Sequence, residues 1–77
     1  MSTVSVINMN KFSQRLRELR LEKSMTQQQI ASLLNIKQQS YIRYEYGTGE
    51  PSLSTLIMLT RIFGVTADYL LGISDDY

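Results

Sequence analysis

The chain has 77 residues with no cysteine and no histidine, which excludes disulfides, thiol and imidazole chemistry and the usual zinc ligand sets together. At this length a single core is near the lower limit for folding unaided, so association would add useful stability. The net charge of +1 is unevenly divided: residues 1–49 hold seven Lys and Arg against three Glu, or +4, and residues 50–77 hold one Arg against four acids, or −3.

Residues 1–10, MSTVSVINMN, lack the basic start and long apolar run of a secretion signal, and no segment approaches the length of a membrane span. A cytoplasmic protein without metal or cofactor is expected. Residues 1–9 are expected to form a flexible arm, although the alternation Ser2-Thr3-Val4-Ser5-Val6 also suits a short strand against a partner. A first helix over residues 10–23 would place Phe12, Leu16 and Leu19 on one face, with Met25 closing its end.

A second helix opens at Thr26, which with Gln29 makes a Thr-x-x-Gln capping box. Ile30, Leu33 and Leu34 recur at the intervals of one helical face, and Ala31 is small enough for a close helix crossing. Asn35, one of the few residues besides Gly that tolerates the left-handed conformation, ends this helix and turns the chain. A third helix over residues 37–46 would bury Tyr41 and Tyr44, with Ile36 packed at the turn and Gly47 as the stop. Two short helices meeting at one turn residue make a helix-turn-helix pattern.

The outward face of the third helix carries side chains suited to reading base edges. Gln38 and Gln39 present amides that donate and accept side by side, matching adenine N6 and N7, and they can also donate to guanine acceptors. Arg43, four residues beyond Gln39, can donate twice to guanine O6 and N7, and Ile42 lies near enough to meet a thymine methyl. Each good two-bond contact is worth roughly 1 to 3 kcal/mol of discrimination. Phosphate contacts would fix the register, from Gln27 in the first turn of the second helix and from Lys37, Ser40, Tyr46 and Thr48. Lys37 reads equally as a solvated charge and Tyr46 as a packing residue.

A fourth helix begins after Pro51 with Ser52 as N-cap, is expected to bury Leu53, Leu56, Leu59 and Phe63, and stops at Gly64. A last short helix spans residues 66–71, with Asp68 in its first turn and Gly72 at its end. The domain is therefore residues 10–72, an all-α bundle of about five short helices, followed by a loose tail over residues 73–77.

From about Phe12 to Gly72 the sequence resembles the lambdoid phage repressor and Cro family, the helix-turn-helix group also named after the xenobiotic-response-element regulators. The resemblance rests on Thr26 and Gln27, Ala31, Tyr41 and Tyr44, and on Glu45, Gly47, Glu50 and Pro51, in register and without gaps. Asn35 stands where the family has Gly. Tyr41 stands where Val or Ile is usual, which asks for a roomier core or a partly exposed hydroxyl. The resemblance implies that Gln38, Gln39 and Arg43 contact bases and that Gln27 contacts the backbone. It also implies a partly buried, structural ion pair between Arg20 and Glu45; the alternative is that Arg20 reaches DNA directly.

Reading two half-sites about one helical turn apart requires a twofold dimer. Met58, Ile62, Tyr69 and Ile73 are the chief interface candidates, with Ile57 and Tyr77 also apolar beyond the expected core stripe. The functional expectation is sequence-specific binding of a palindromic double-stranded DNA operator by a homodimeric transcriptional repressor of the phage type, regulated by concentration, a protein partner or a further segment. The competing class is a protein-interaction module, such as an antitoxin or antagonist, that uses the same fold mainly to grip a partner. A chain without His, Cys or an evident pair of acids gives an enzyme little to work with, and no catalytic residues are assigned.

Overall fold

Caps delimit most of the helices. The computed structural model describes residues 9–77, and in order these form α1 (Met9–Glu22), α2 (Gln27–Leu34), α3 (Gln38–Tyr46), α4 (Leu53–Phe63) and α5 (Ala67–Leu70). The expected N-terminal arm and its strand pattern lie outside the described residues, apart from Met9, which opens α1. At α2 the capping box is complete: Thr26 Oγ1 accepts from Gln29 N at 3.1 Å and Gln29 Oε1 accepts from Thr26 N at 2.8 Å. Ser52 and Thr66 cap α4 and α5 by accepting from the backbone N–H groups of Thr55 and Tyr69, without the reciprocal bond. Lys37 stands just before α3 as its N-cap rather than as its first residue.

The stops follow equally local rules. Asn35 takes φ 57°, ψ 44°, and its N–H closes onto the carbonyls of Ala31 and Ser32. Gly47 and Gly64 are left-handed at the ends of α3 and α4. Ser24, with φ 54°, is a further left-handed residue, in the turn between α1 and α2.

α1 packs against α3 and α5, α2 against α3 and α4, and α4 against α5. Between them lies one core of Phe12, Leu16, Leu19, Ile30, Ala31, Leu34, Tyr41, Tyr44, Leu59, Phe63, Val65, Tyr69 and Leu70. Fully burying an aliphatic or Phe side chain is worth about 1.5 to 3 kcal/mol, so this core is the main source of stability.

Two expected core residues are not in it. Leu33 is 52% exposed, because Ala31 joins Ile30 and Leu34 on the inner face and rotates that stripe away from it. Leu53 is 78% exposed; the inner face of α4 is Thr55, Leu59 and Phe63, with Leu56 and Ile62 at its flanks, and Leu53 lies about a third of a turn away.

The tail is not loose. Arg15 on α1 donates through Nη1 to the carbonyls of Tyr69 (2.5 Å) and Ser74 (2.7 Å), and through Nη2 to Asp75 Oδ1 (2.5 Å). Its guanidinium lies 4.1 Å from the centroid of the Tyr69 ring, whose edge-on neighbour is Tyr77 at 4.6 Å. Tyr69 is accordingly buried within the fold of the single chain and presents little surface to a partner, unlike the other expected interface residues.

Candidate nucleic-acid interface

α3 has two unlike faces. Tyr41 and Tyr44 turn inward, their rings edge to face at 6.2 Å, while Gln38, Gln39 and Arg43 are all exposed, with Ser40 and Ile42 half-buried at the margins. The inward tyrosines thus present the polar side chains together on one side of the helix. Lys37, Tyr46 and Thr48 are exposed at the two ends of that face. Tyr46, 78% exposed, does not serve as a packing residue. Ser40, Arg43, Tyr44, Gly49 and Glu50 line a polar cleft beside the helix, and Thr26, Gln27, Gln28 and Gln38 help to line a second one where α2 and α3 begin.

What holds this face in place is a hydrogen-bonded ion pair. Arg20 Nε donates to Glu45 Oε2 at 2.6 Å and Nη2 donates to Oε1 at 3.0 Å, while Nη1 donates to the Met25 carbonyl at 3.0 Å. The two side chains are only 12% and 2% exposed. With all three guanidinium nitrogens engaged, Arg20 is committed to joining α1, α3 and the turn before α2. Gln27 Nε2 also donates to Glu45 Oε1, at 3.2 Å, so the side chain expected at phosphate is part of the same network.

The electrostatics follow from these contacts. Burial alone would raise the Glu45 carboxyl, but the Arg20 guanidinium above all, with the Tyr41 hydroxyl dipole and the Gln27 amide, holds it below its ordinary value. The hydrogen bond to Glu45 pushes Arg20 up. Tyr41 is fully buried rather than partly exposed, and burial, then the neighbouring Glu45, pushes its hydroxyl far above the tyrosine range. That hydroxyl makes no hydrogen bond of acceptable geometry among the described residues.

Two residues with structural roles escaped the sequence reading. Ser13 Oγ, buried between α1 and α3, donates to the Tyr44 carbonyl at 2.7 Å, giving a second donor to a last-turn carbonyl of α3 that otherwise takes only a long 3.4 Å bond from Gly47 N–H; a polar residue flanking the Phe12–Leu16–Leu19 stripe was the available signal. Arg15 was counted only as a basic charge. Together with Lys11, which lies 3.6 Å from Asp75, and Arg20, it is turned toward the protein's own acids and carbonyls. The excess positive charge of residues 1–49 is therefore presented by Arg17, Lys23, Lys37 and Arg43, all exposed. The remaining interface candidates differ in exposure: Met58 and Ile73 are exposed and Ile62 is half-buried.

The arrangement matches known proteins. A model of the helix-turn-helix family covers residues 16–70. The chain belongs to the lambda-repressor-like helix-turn-helix family. It is 45% identical over 60 residues to the SPbeta prophage-derived HTH-type transcriptional regulator YonR of Bacillus subtilis, a match covering 78% of this chain and 56% of that protein. It is 33% identical over 64 residues to the cryptic phage CTXphi transcriptional repressor RstR of Vibrio cholerae, covering 83% and 58% respectively. Among solved structures, a transcriptional regulator from Listeria innocua superposes with a TM-score of 0.78 at 30% identity, over 86% of this chain and 62% of that one. This helix-turn-helix chain spans between 30% and 58% of the length of the curated relatives it matches. The family named for Thr26 to Pro51 and the all-helical architecture are those of the sequence reading.

Proposed function

We propose that this chain binds double-stranded DNA sequence-specifically as a transcriptional regulator, with α3 in the major groove. The observation that carries the reading is the exposed row of Gln38, Gln39 and Arg43 on a helix whose other side is locked to α1 and α2 by the Arg20–Glu45–Gln27 network. Base readout needs donors and acceptors held to within a fraction of an ångström, and a helix anchored by a buried ion pair supplies that rigidity.

In this reading Gln38 and Gln39 address adenine edges, Arg43 addresses guanine, and Lys37, Ser40, Tyr46 and Thr48 touch phosphates on either side of the groove. Gln27 has a double part: it donates one hydrogen to Glu45 and keeps a second amide hydrogen for phosphate. The protein acts as a homodimer on a palindromic operator, with Met58, Ile62 and Ile73 as the contacting surface, and it represses by occupying a promoter. The name of the Vibrio cholerae relative as a phage repressor supports that sign of regulation.

Selection from a random duplex pool at near-physiological salt, followed by affinity measurement against scrambled DNA, tests the whole reading. A palindromic sequence bound about a thousandfold or more tightly is expected. Absence of any enriched sequence would overturn it in favour of a protein-interaction module of the antitoxin or antagonist kind.

A further inference from the structure

The left-handed backbone at Gly47 and Gly64 explains glycine there. Gly49 is different, because its backbone lies outside the left-handed region, so the reason for its missing side chain is space. A Cβ on Gly49 would stand 3.2 Å from Arg43 Cβ, 3.7 Å from Arg43 Nε and 3.7 Å from the Tyr44 ring. The 3.2 Å approach is tighter than ordinary van der Waals contact and falls on the stem of the arginine, near its root, where the side chain has least freedom to yield.

The same loop grips Arg43 at both ends. Thr48 N–H donates to the Arg43 carbonyl at 3.0 Å, and the Thr48 hydroxyl reaches that carbonyl at 3.5 Å. In return Arg43 Nη2 donates to the Thr48 carbonyl at 3.4 Å. The stem of Arg43 therefore lies along the loop with its guanidinium steered by a backbone acceptor. A long side chain on an exposed helix face otherwise spreads over many rotamers, and that freedom must be surrendered on binding.

We propose that Gly49 is a specificity-determining positioning residue: its bare Cα leaves the groove in which Arg43 is laid out in advance for base recognition, although Gly49 itself touches no base. The proposal rests on the reading of Arg43 as a base contact. An added methyl displaces the arginine stem from the loop, loosens the guanidinium and lowers discrimination at the single base pair that Arg43 reads.

The test uses the 77-residue chain and the duplex chosen by selection, varied one base pair at a time. Arg43→Ala first identifies the base pair that loses discrimination; if it identifies none, the base-contact reading of Arg43 fails, and the proposal with it. If it identifies one, Gly49→Ala should lower discrimination there by about fivefold or more, leave other positions and the melting temperature unchanged, and add nothing in an Arg43→Ala background. A uniform loss at all positions, no loss at the Arg43 position, or an undiminished effect in the Arg43→Ala background would each overturn the proposal while leaving the reading of Arg43 intact. Nitrogen relaxation of the arginine side chains in the free wild-type protein supplies a readout that needs no variant. Arg43 Nε should be markedly more ordered than Nε of the exposed Arg17, and equal mobility of the two would overturn the proposal.

Discussion

Glu45 shows how one residue can set both the stability and the orientation of α3. Its carboxylate takes donors from Arg20 and Gln27 while its side chain is almost wholly enclosed. Glu45→Gln would leave the Arg20 guanidinium without its counter-charge, at a cost of about 3 to 5 kcal/mol for a well-buried pair. Melting should therefore fall by about 12 °C or more in a domain this small. The sign of the pH dependence follows from the direction of the shift. Glu45 is held below its ordinary value of 4.5, so its stabilisation is fully present above that value and is lost as pH falls through the lower folded value. Asp75 is also held low, by its hydrogen bond from Arg15, and adds to the loss of stability in acid, so the Glu45→Gln variant should show a shallower acid limb than wild type but still a finite one. Melting scans between neutral pH and pH 3 check this, and parallel limbs would mean that the pair is not formed in solution. Tyr41 tests the opposite case. The cost of burying a hydroxyl without a well-formed hydrogen bond offsets or outweighs the help its dipole gives the Glu45 carboxylate, so Tyr41→Phe should leave melting unchanged or raise stability by about 1 kcal/mol. A loss of that size instead would show the hydroxyl bonded to Glu45.

Among the elements, the turn between α2 and α3 rests on Asn35 in a left-handed conformation. Glycine adopts that conformation without steric cost and most other residues do not, while glycine also loses more entropy on folding. Asn35→Gly should therefore change stability by less than about 1 kcal/mol in either direction, whereas Asn35→Ala should cost about 1 to 2 kcal/mol. Thermal or denaturant unfolding of both variants checks the prediction, and equal effects would show that the cap conformation does not govern the turn. This residue also marks what the sequence made legible. Helix ends governed by a neighbour within three or four residues were readable: the Thr26 box, the Ser52 cap, and the stops at Asn35, Gly47 and Gly64. Ser24 adopts the same left-handed backbone without a glycine or asparagine to announce it. The faces of helices were less legible, because which of two adjacent apolar residues turns inward is decided by the helix packed against them. Leu33 and Leu53 both have helical spacing and both face out. The exposed polar face of α3 was legible because Tyr41 and Tyr44 fix the inward direction of the helix. The role of Arg15 was not, since it depends on partners more than fifty residues away.

At the scale of the whole molecule, Arg15 closes the fold by tying α1 to α5 and to the tail. Arg15→Ala removes three hydrogen bonds and the contact with the Tyr69 ring together, so it should destabilise the protein by about 1 to 3 kcal/mol and expose Tyr69. Unfolding followed by tyrosine fluorescence checks this, and wild-type stability would mean that the tail contributes nothing. Exposed apolar side chains outside the core include Leu53, Ile57 and Met58 on α4 and Ile73 and Tyr77 after α5, besides Leu21 on α1, Leu33 on α2 and Tyr46 on α3. A palindromic operator demands a twofold assembly whose two α3 helices are spaced to reach successive major grooves on one face of the duplex. A twofold axis makes one substitution act twice, since each copy meets the same patch on its partner. Met58→Glu would then bring two carboxylates into an apolar contact, where charges without partners are costly. If the proposed dimer forms through α4, wild type should sediment as a dimer and the variant as a monomer at the same concentration, and the variant should keep its melting behaviour as a fold and bind a single half-site as tightly as wild type while losing the gain from the second half-site. A Met58→Glu protein that remains dimeric would exclude the α4 surface and leave the region around Ile73 as the place to look.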